Sequence, residues 1–245
     1  MNKHLKRFLV GIIWIGIWAA AAAAVGLPLL LPGPVDTLRA FLRLAAGADF
    51  WRSTGMTMLR VAVGYCCAVT AGVALAALCH RFSALEMLLS PVRSMIRATP
   101  VTSFIILVLL WISRSRVPAF ISFLMVLPIV WTGVQEALGA VDKNLMEMTE
   151  MYRFTRTKKI QYLYIPSVRP ALTAACVTGL GFAWKSGIAA EVIALPALSV
   201  GKNLYDTKIY LESADLFAWT LTVILLSMGL EAILKAAVRR RGAEK

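Results

Sequence analysis

The apolar residues of this chain gather into blocks of roughly 20, about the length a helix needs to cross ~30 Å of hydrocarbon. Of its 245 residues 59% are hydrophobic, and a soluble domain that rich would place them in periodic stripes rather than blocks. Only a helix or a closed barrel can cross lipid, because each backbone polar group needs an internal partner there. Barrel strands alternate polar and apolar residues, and these blocks do not. The expectation is an all-α, polytopic transmembrane helical bundle of about six spans in one domain. The spans are placed at about 8–27, 56–79, 97–113, 117–138, 170–193 and 215–236. The third is short and is preceded by Arg93, Arg97 and Pro100. Most prolines stand near span edges, whereas Pro128 lies inside the fourth span and predicts a kink there.

The net charge of +13 would suggest nucleic acid in a soluble protein. Here the basic residues lie between apolar blocks, which argues against it and suits cytoplasmic loops instead. With the N-terminus inside, the inner segments hold seventeen Lys and Arg and the outer segments seven. Both termini are therefore expected in the cytoplasm. Lys3, Lys6 and Arg7 before an apolar run resemble a signal peptide, but the run is long and lacks a clear cleavage site. It reads as an uncleaved first span. Cys66, Cys67, Cys79 and Cys176 suit neither a disulfide framework nor zinc, and His4 and His80 are far apart, so no metal site is expected.

The segment from Asp142 to Pro166 is too polar to cross a membrane and too patterned for a plain connector. Val141, Leu145, Met148 and Tyr152 recur at helical spacing, giving one apolar face. Arg156, Lys158 and Lys159 follow, and Pro166 and Pro170 close the segment. It could be an interfacial helix on an anionic leaflet, or a docking helix whose ridge enters a groove on a cytoplasmic partner. The residues alone leave both open.

This segment resembles the EAA loop of ATP-binding-cassette (ABC) importer permeases, roughly E-A-A, three residues, G, about nine residues, I-x-L-P. Glu147 takes the Glu position, Met148 and Thr149 the two Ala positions, Arg153 the Gly position, and Ile165-Pro166 the terminal pair. Leu31-Pro-Gly-Pro-Val-Asp-Thr-Leu38 is similar to the L-P-x-P-x-x-x-L of nitrate/sulfonate/taurine-type permeases. Arg60-Val-Ala-Val-Gly64 resembles their R-x-x-x-G, and Arg97-Ala-Thr-Pro100 through Trp111 resembles their stretch ending W-F-G. Gly181-Phe-Ala-Trp184-Lys-Ser-Gly-Ile-Ala-Ala-Glu191 is similar to their G-x-x-W-x-x-x-x-A-A-E.

The resemblance implies a type I importer permease in a bacterial inner membrane. It implies a second permease copy, two ATP-binding subunits docked on the loops, and an extracytoplasmic solute-binding protein. Leu145, Glu147, Met148, Thr149, Tyr152, Arg153 and Pro166 become the ATPase-coupling candidates. No cofactor is expected in this chain; ATP is used by the partner, and the sequence has no G-x-x-x-x-G-K-[ST] phosphate loop. Because Arg takes positive φ at a cost, the docking helix is expected to run on more continuously than the family's. The implied solute is a small anion such as nitrate, a sulfonate or taurine, or a related solute.

Charges inside spans are expensive and invite a role. Arg60, near the outer end of span two, is expected to snorkel to the headgroups. Lys185 and Glu191 are six residues apart, about 120° around a helix, so they do not form a direct pair. Trp184, Gly187 and Glu191 share nearly one face: an aromatic wall, a gap and a carboxylate. They and Lys185 are pathway candidates; the alternative is helix packing with Glu191 solvated. The outer loop 194–214, with Lys202, Tyr205, Asp206, Lys208, Tyr210 and Glu212, either meets the binding protein or is a solvated face. The competing functions are a stand-alone secondary transporter or channel, disfavoured by the missing internal repeat, and an intramembrane enzyme, for which no inward constellation exists.

Overall fold

The structure, a computed structural model, describes residues 3–243, with side chains from Leu9 to Ala236. The basic residues counted at the two ends, Lys3, Lys6, Arg7 and those after 236, lie outside the described side chains. The described residues are mostly helical, with no strand among them: α1 (Lys3–Val25), α2 (Pro34–Ala45), α3 (Ala48–Arg81), α4 (Ser83–Ala98), α5 (Val101–Val108) and α6 (Val117–Gly139). Then follow α7 (Lys143–Met151), α8 (Arg156–Lys159), a π-turn (Ile160–Tyr164), α9 (Ile165–Ala194), α10 (Val200–Ile209) and α11 (Ser213–Ala243).

Three segments among the described residues are long and apolar enough to cross a membrane: Ala48–Arg81, Val117–Gly139 and Ser213–Ala236. The apolar part of α1 described here, Leu9–Val25, is shorter. Helix α9 has 30 residues, but Arg169, Lys185 and Glu191 dilute its apolar character. Helix α3 begins eight residues before the expected span, because helical hydrogen bonding continues through Asp49 and Arg52 although those side chains are polar. Its 34 residues extend roughly 50 Å at 1.5 Å per residue.

The expected third span over 97–113 is not one helix. Thr99 is extended (φ −80°, ψ 130°) and Pro100 caps the N-terminus of α5, as the restriction on a residue before proline requires. The eight residues of α5 rise only about 12 Å. Helix α9 also departs from expectation, since it runs through both Pro166 and Pro170. Pro166 has no N–H, and its ring crowds the carbonyl of Tyr162; the widened π-turn just before it accommodates that loss.

The helices form two compact units, which are described separately. One holds Leu195–Leu226 and the described residues up to Thr57. Its core is aromatic: Phe50 stacks on Trp219 with ring centroids 5.0 Å apart, and Trp18 lies against Phe217. Arg43 pairs with Asp215, and the Val200 amide donates to the Thr57 hydroxyl at 3.0 Å. The expected outer loop contains α10, which Ser199 caps by accepting from the Lys202 amide at 3.1 Å.

The other unit holds Met58–Ala194 and the described residues from Ser227. Helices α6 and α9 pack extensively against each other in it. Ile105, Val108, Val117, Ile121, Ala190 and Ala194 form one buried cluster. Two glycines set the closeness of packing. A Cβ on Gly64 would lie 2.1 Å from the Ala119 carbonyl oxygen, and one on Gly187 would lie 2.6 Å from Val61 Cγ2. Neither helix crossing admits a side chain there.

Candidate functional site

The segment 142–166 folds as a bent helical loop whose bend is closed by hydrogen bonds. The Asp142 carboxylate caps α7, accepting from the Asn144 amide at 2.8 Å. At the other end the Phe154 amide donates to the Thr149 carbonyl at 2.9 Å and the Arg153 amide to that of Glu150 at 3.0 Å. This pair of bonds is a Schellman closure, which needs a left-handed residue at its pivot. Arg153 supplies it, with φ +49°. The expected continuous docking helix is therefore corrected: the bend is kept, and Arg153 takes the conformation a glycine would take more cheaply. Local hydrogen bonds outweigh a conformational cost of about 1–2 kcal/mol. Leu211 (φ +60°) ends α10 in the same way.

After the bend, the Thr155 hydroxyl caps α8 by accepting from the Lys158 amide. Lys159 Nζ reaches Glu150 at 3.4 Å, tying α8 to α7. The Tyr164 hydroxyl donates to Met146 Sδ at 3.9 Å, and its ring meets the His80 ring edge-on at 6.3 Å between centroids. The loop is thus held to α3 through Tyr164. His80 and Tyr164 carried no sequence signal for this, because contact between positions 84 residues apart leaves no periodic trace.

This framework leaves an apolar ridge exposed. Leu145 and Met148 are each more than 40% exposed, Tyr152 is 73% exposed and Met151 82%. Met151 was missed as a ridge residue although it stands three positions after Met148, a helical neighbour spacing. Val141 is buried and does not belong to the ridge. Thr149, at the second small-residue position, is buried and donates to the Met146 carbonyl at 2.7 Å. Glu147, Arg153 and Pro166 are exposed.

A second constellation lies in the α3–α6–α9 packing. Arg60 Nη1 donates to Glu191 Oε1 at 3.2 Å, and the two side chains are 9% and 0% exposed. Two expectations are thereby corrected. Arg60 does not snorkel to headgroups, and Glu191 is not solvated; a charged pair removed from water holds both groups inside. Trp184 is also buried, and the space beside Gly187 is filled by Val61 and Ser122. Ser122 donates across to the Ala183 carbonyl at 3.0 Å. The expected gap is thus occupied by helix packing. Lys185 is exposed, away from Trp184, Gly187 and Glu191. The R-x-x-x-G and G-x-x-W-x-x-x-x-A-A-E segments are brought together by this packing, through Arg60–Glu191 and through Gly187 against Val61.

Helix α4 is anchored by a third charged cluster. Arg93 donates to Glu86 at 2.8 Å and to Gln135 at 2.7 Å, with its guanidinium 4.9 Å from the Trp131 ring centroid. Burial pushes the Glu86 carboxyl up, but the neighbouring Gln135 side chain and the Arg93 charge outweigh this and hold it below the ordinary range.

Comparison with known proteins places this geometry. Residues 68–242 match the family described as binding-protein-dependent transport system inner membrane component. The chain is 28% identical over 229 residues to the riboflavin transport system permease protein RibX of Chloroflexus aurantiacus, covering 89% of this chain and 84% of that one. It is 20% identical over 229 residues to the taurine transport system permease protein TauC of Escherichia coli, covering 91% and 83%. A chain of the MetNI methionine ABC transporter in inward-facing conformations shares the fold, with a TM-score of 0.56 at 18% identity. That match covers 78% of this chain and 91% of the other.

Proposed function

The chain belongs to the family of binding-protein-dependent transport system inner membrane components, and from that membership we propose that the α7 ridge couples it to separate ATP-binding subunits. It is a membrane permease subunit of an ABC importer, a transport component rather than an enzyme. The carrying observation is a ridge of Leu145, Met148, Met151 and Tyr152 exposed on a loop whose bend and attachment to α3 are fixed. An apolar helix ridge that stays exposed fits a groove on a partner, and the neighbouring fixed bend lets a displacement of α7 reach α3. Glu147 and Arg153 add charged contacts at its edge. ATP is used by the partner, and this chain needs no cofactor of its own.

The proposed assembly has two permease copies, two ATP-binding subunits and an extracytoplasmic solute-binding protein. The termini are cytoplasmic, which needs an even number of crossings: α1, α9 and the apolar stretch that contains α5 cross with the three long apolar helices. Lys185, exposed on α9, is the pathway candidate for a small anion such as nitrate, a sulfonate or taurine. Trp184, Gly187 and Glu191 support it from behind by fixing α9 against α3 and α6. The taurine permease relative supports that solute class, while the riboflavin permease relative supports a second reading, a larger heteroaromatic solute. Replacing Leu145 and Met148 with Arg tests the coupling: co-purification with the ATP-binding subunit should be lost with membrane insertion intact. Undiminished co-purification and solute-stimulated ATP hydrolysis would refute it. For the solute, Lys185→Ala should lower uptake of an anion; unchanged uptake removes Lys185 from the pathway.

A further inference from the structure

Helix α2 carries three stripes of side chains, because residues three and seven positions apart share a face of a helix. Thr37, Ala40 and Leu44 form the stripe turned to the protein, with Thr37 and Ala40 buried. Val35, Leu38 and Leu42 form a second stripe, about 160° away at ~100° per residue, and each is more than half exposed. Asp36, Arg39 and Arg43 form an exposed third stripe, about 100° from each of the other two. The side of α2 that points away from its own unit is thus aliphatic, and the charges occupy one flank. A helix with water on that side would carry its charges there instead.

The unit that holds α2 also fixes its level along the apolar helices. Arg43 pairs with Asp215 in the first turn of α11, and the Ser213 hydroxyl donates to the Leu29 carbonyl between α1 and α2. Phe50, shortly after α2, stacks on Trp219, about 9 Å along α11 from Ser213. Because α11 is apolar from Ser213 onward, Trp219 lies within that stretch and α2 lies at its end, where hydrocarbon meets water. Leu29, Leu30 and Trp51 expose more apolar surface on either side of α2 in the chain. The Trp51 indole N–H donates to the Ala45 carbonyl at the end of α2 at 2.9 Å, and such amphipathic rings gather at membrane interfaces.

We propose that α2 docks on the bilayer surface, with Val35, Leu38 and Leu42 among the upper acyl chains and Asp36, Arg39 and Arg43 toward water. Helices of this pattern sit about 5–10 Å into the boundary between headgroups and chains. The stripe contains no aromatic, Met or Arg side chain, the groups that enrich protein interfaces. Helix α1 of the same unit exposes Trp14 and Ile17, so lipid already surrounds the neighbouring surface. In the proposed topology the leaflet is the extracytoplasmic one. Docked there, α2 sets the depth of the Ser213 end of α11 through Arg43–Asp215 and of the start of α3 through Phe50–Trp219. The proposal rests on the chain lying in a membrane and not on the α7 partner, so loss of ATP-subunit docking leaves it standing.

The full chain in phosphatidylcholine nanodiscs provides the test. Nitroxides are attached singly to Val35→Cys, Asp36→Cys, Leu38→Cys, Arg39→Cys and Leu42→Cys, with Cys66, Cys67, Cys79 and Cys176 changed to alanine. Collisions with oxygen, which concentrates in hydrocarbon, are compared with those of a water-soluble nickel chelate. The oxygen-to-nickel ratio should be higher at positions 35, 38 and 42 than at 36 and 39, and Leu38→Asp should lower it at 42. Equal ratios in the two stripes overturn the proposal. Exclusion of both reagents from 35, 38 and 42 also overturns it, because a protein surface, such as a second copy, then covers the stripe. Tryptophan substitutions in the chain with its cysteines intact remain informative where the alanine background fails to fold. Emission added by Leu38→Trp should be quenched by phosphatidylcholine brominated on its upper acyl chain, and that added by Arg39→Trp less; equal quenching overturns the proposal.

Discussion

Glu191→Gln is the perturbation that most directly measures what holds α9 against α3. The Arg60–Glu191 contact is 3.2 Å long with both side chains buried. At an effective dielectric of about 20, unit charges at that separation attract by about 5 kcal/mol. Desolvation of two ions offsets much of that when the pair forms. Removing one partner is different, because the guanidinium stays buried beside a neutral amide, at a cost of about 3–5 kcal/mol. Replacing both groups with apolar side chains, Arg60→Met with Glu191→Leu, should recover most of the loss. Graded SDS denaturation of the full chain in mixed micelles, run as a double-mutant cycle, reads the coupling directly. A loss below about 1 kcal/mol for Glu191→Gln, or single effects that simply add, would show that the pair does not hold the helices together.

Arg153→Gly should keep the bend and raise stability by about 1 kcal/mol, since the left-handed conformation then costs little; a lowered unfolding midpoint contradicts the Schellman assignment. Gly64→Ala should destabilise strongly, because its Cβ would meet the Ala119 carbonyl oxygen at 2.1 Å; a near-neutral effect in the same denaturation assay would mean that the crossing is looser. The Glu86–Arg93 contact should respond to acid. A carboxyl held below its ordinary 4.5 contributes stability above that value and loses it as pH falls through the lower folded value. Protection of α4 amides in hydrogen exchange should therefore fall below about pH 4.5 in the native protein and not in Arg93→Gln; equal loss in both removes the pair from the account.

The apolar blocks were legible because lipid imposes a length on each crossing helix: the boundaries of α6 agree within a residue of those read from 117–138. The bends were harder. Thr99 before Pro100 was a visible break, yet the apolar run that follows it, Val101 to Ile112, outweighed it, so α5 was read as part of a longer span. Arg153 could not be read as left-handed because its own preference opposes it; only the hydrogen bonds from the Phe154 and Arg153 amides make that conformation pay. Arg60 and Glu191 were each conspicuous as charges in apolar surroundings. Their partnership was invisible, since 131 residues separate them and helical angles describe only neighbours on one helix. Burial likewise changed the meaning of Trp184 and Gly187, whose shared face was correct and whose openness was not.

The central claim is that the α7 ridge is where an ATP-binding subunit docks. A photo-reactive side chain in place of Met148, activated in membranes containing the cognate ATP-binding subunit, tests it most directly. The account predicts a covalent adduct between this chain and that subunit, weakened when Leu145 is changed to Arg. Adducts to lipid alone, with the ATP-binding subunit present and unlabelled, would contradict it.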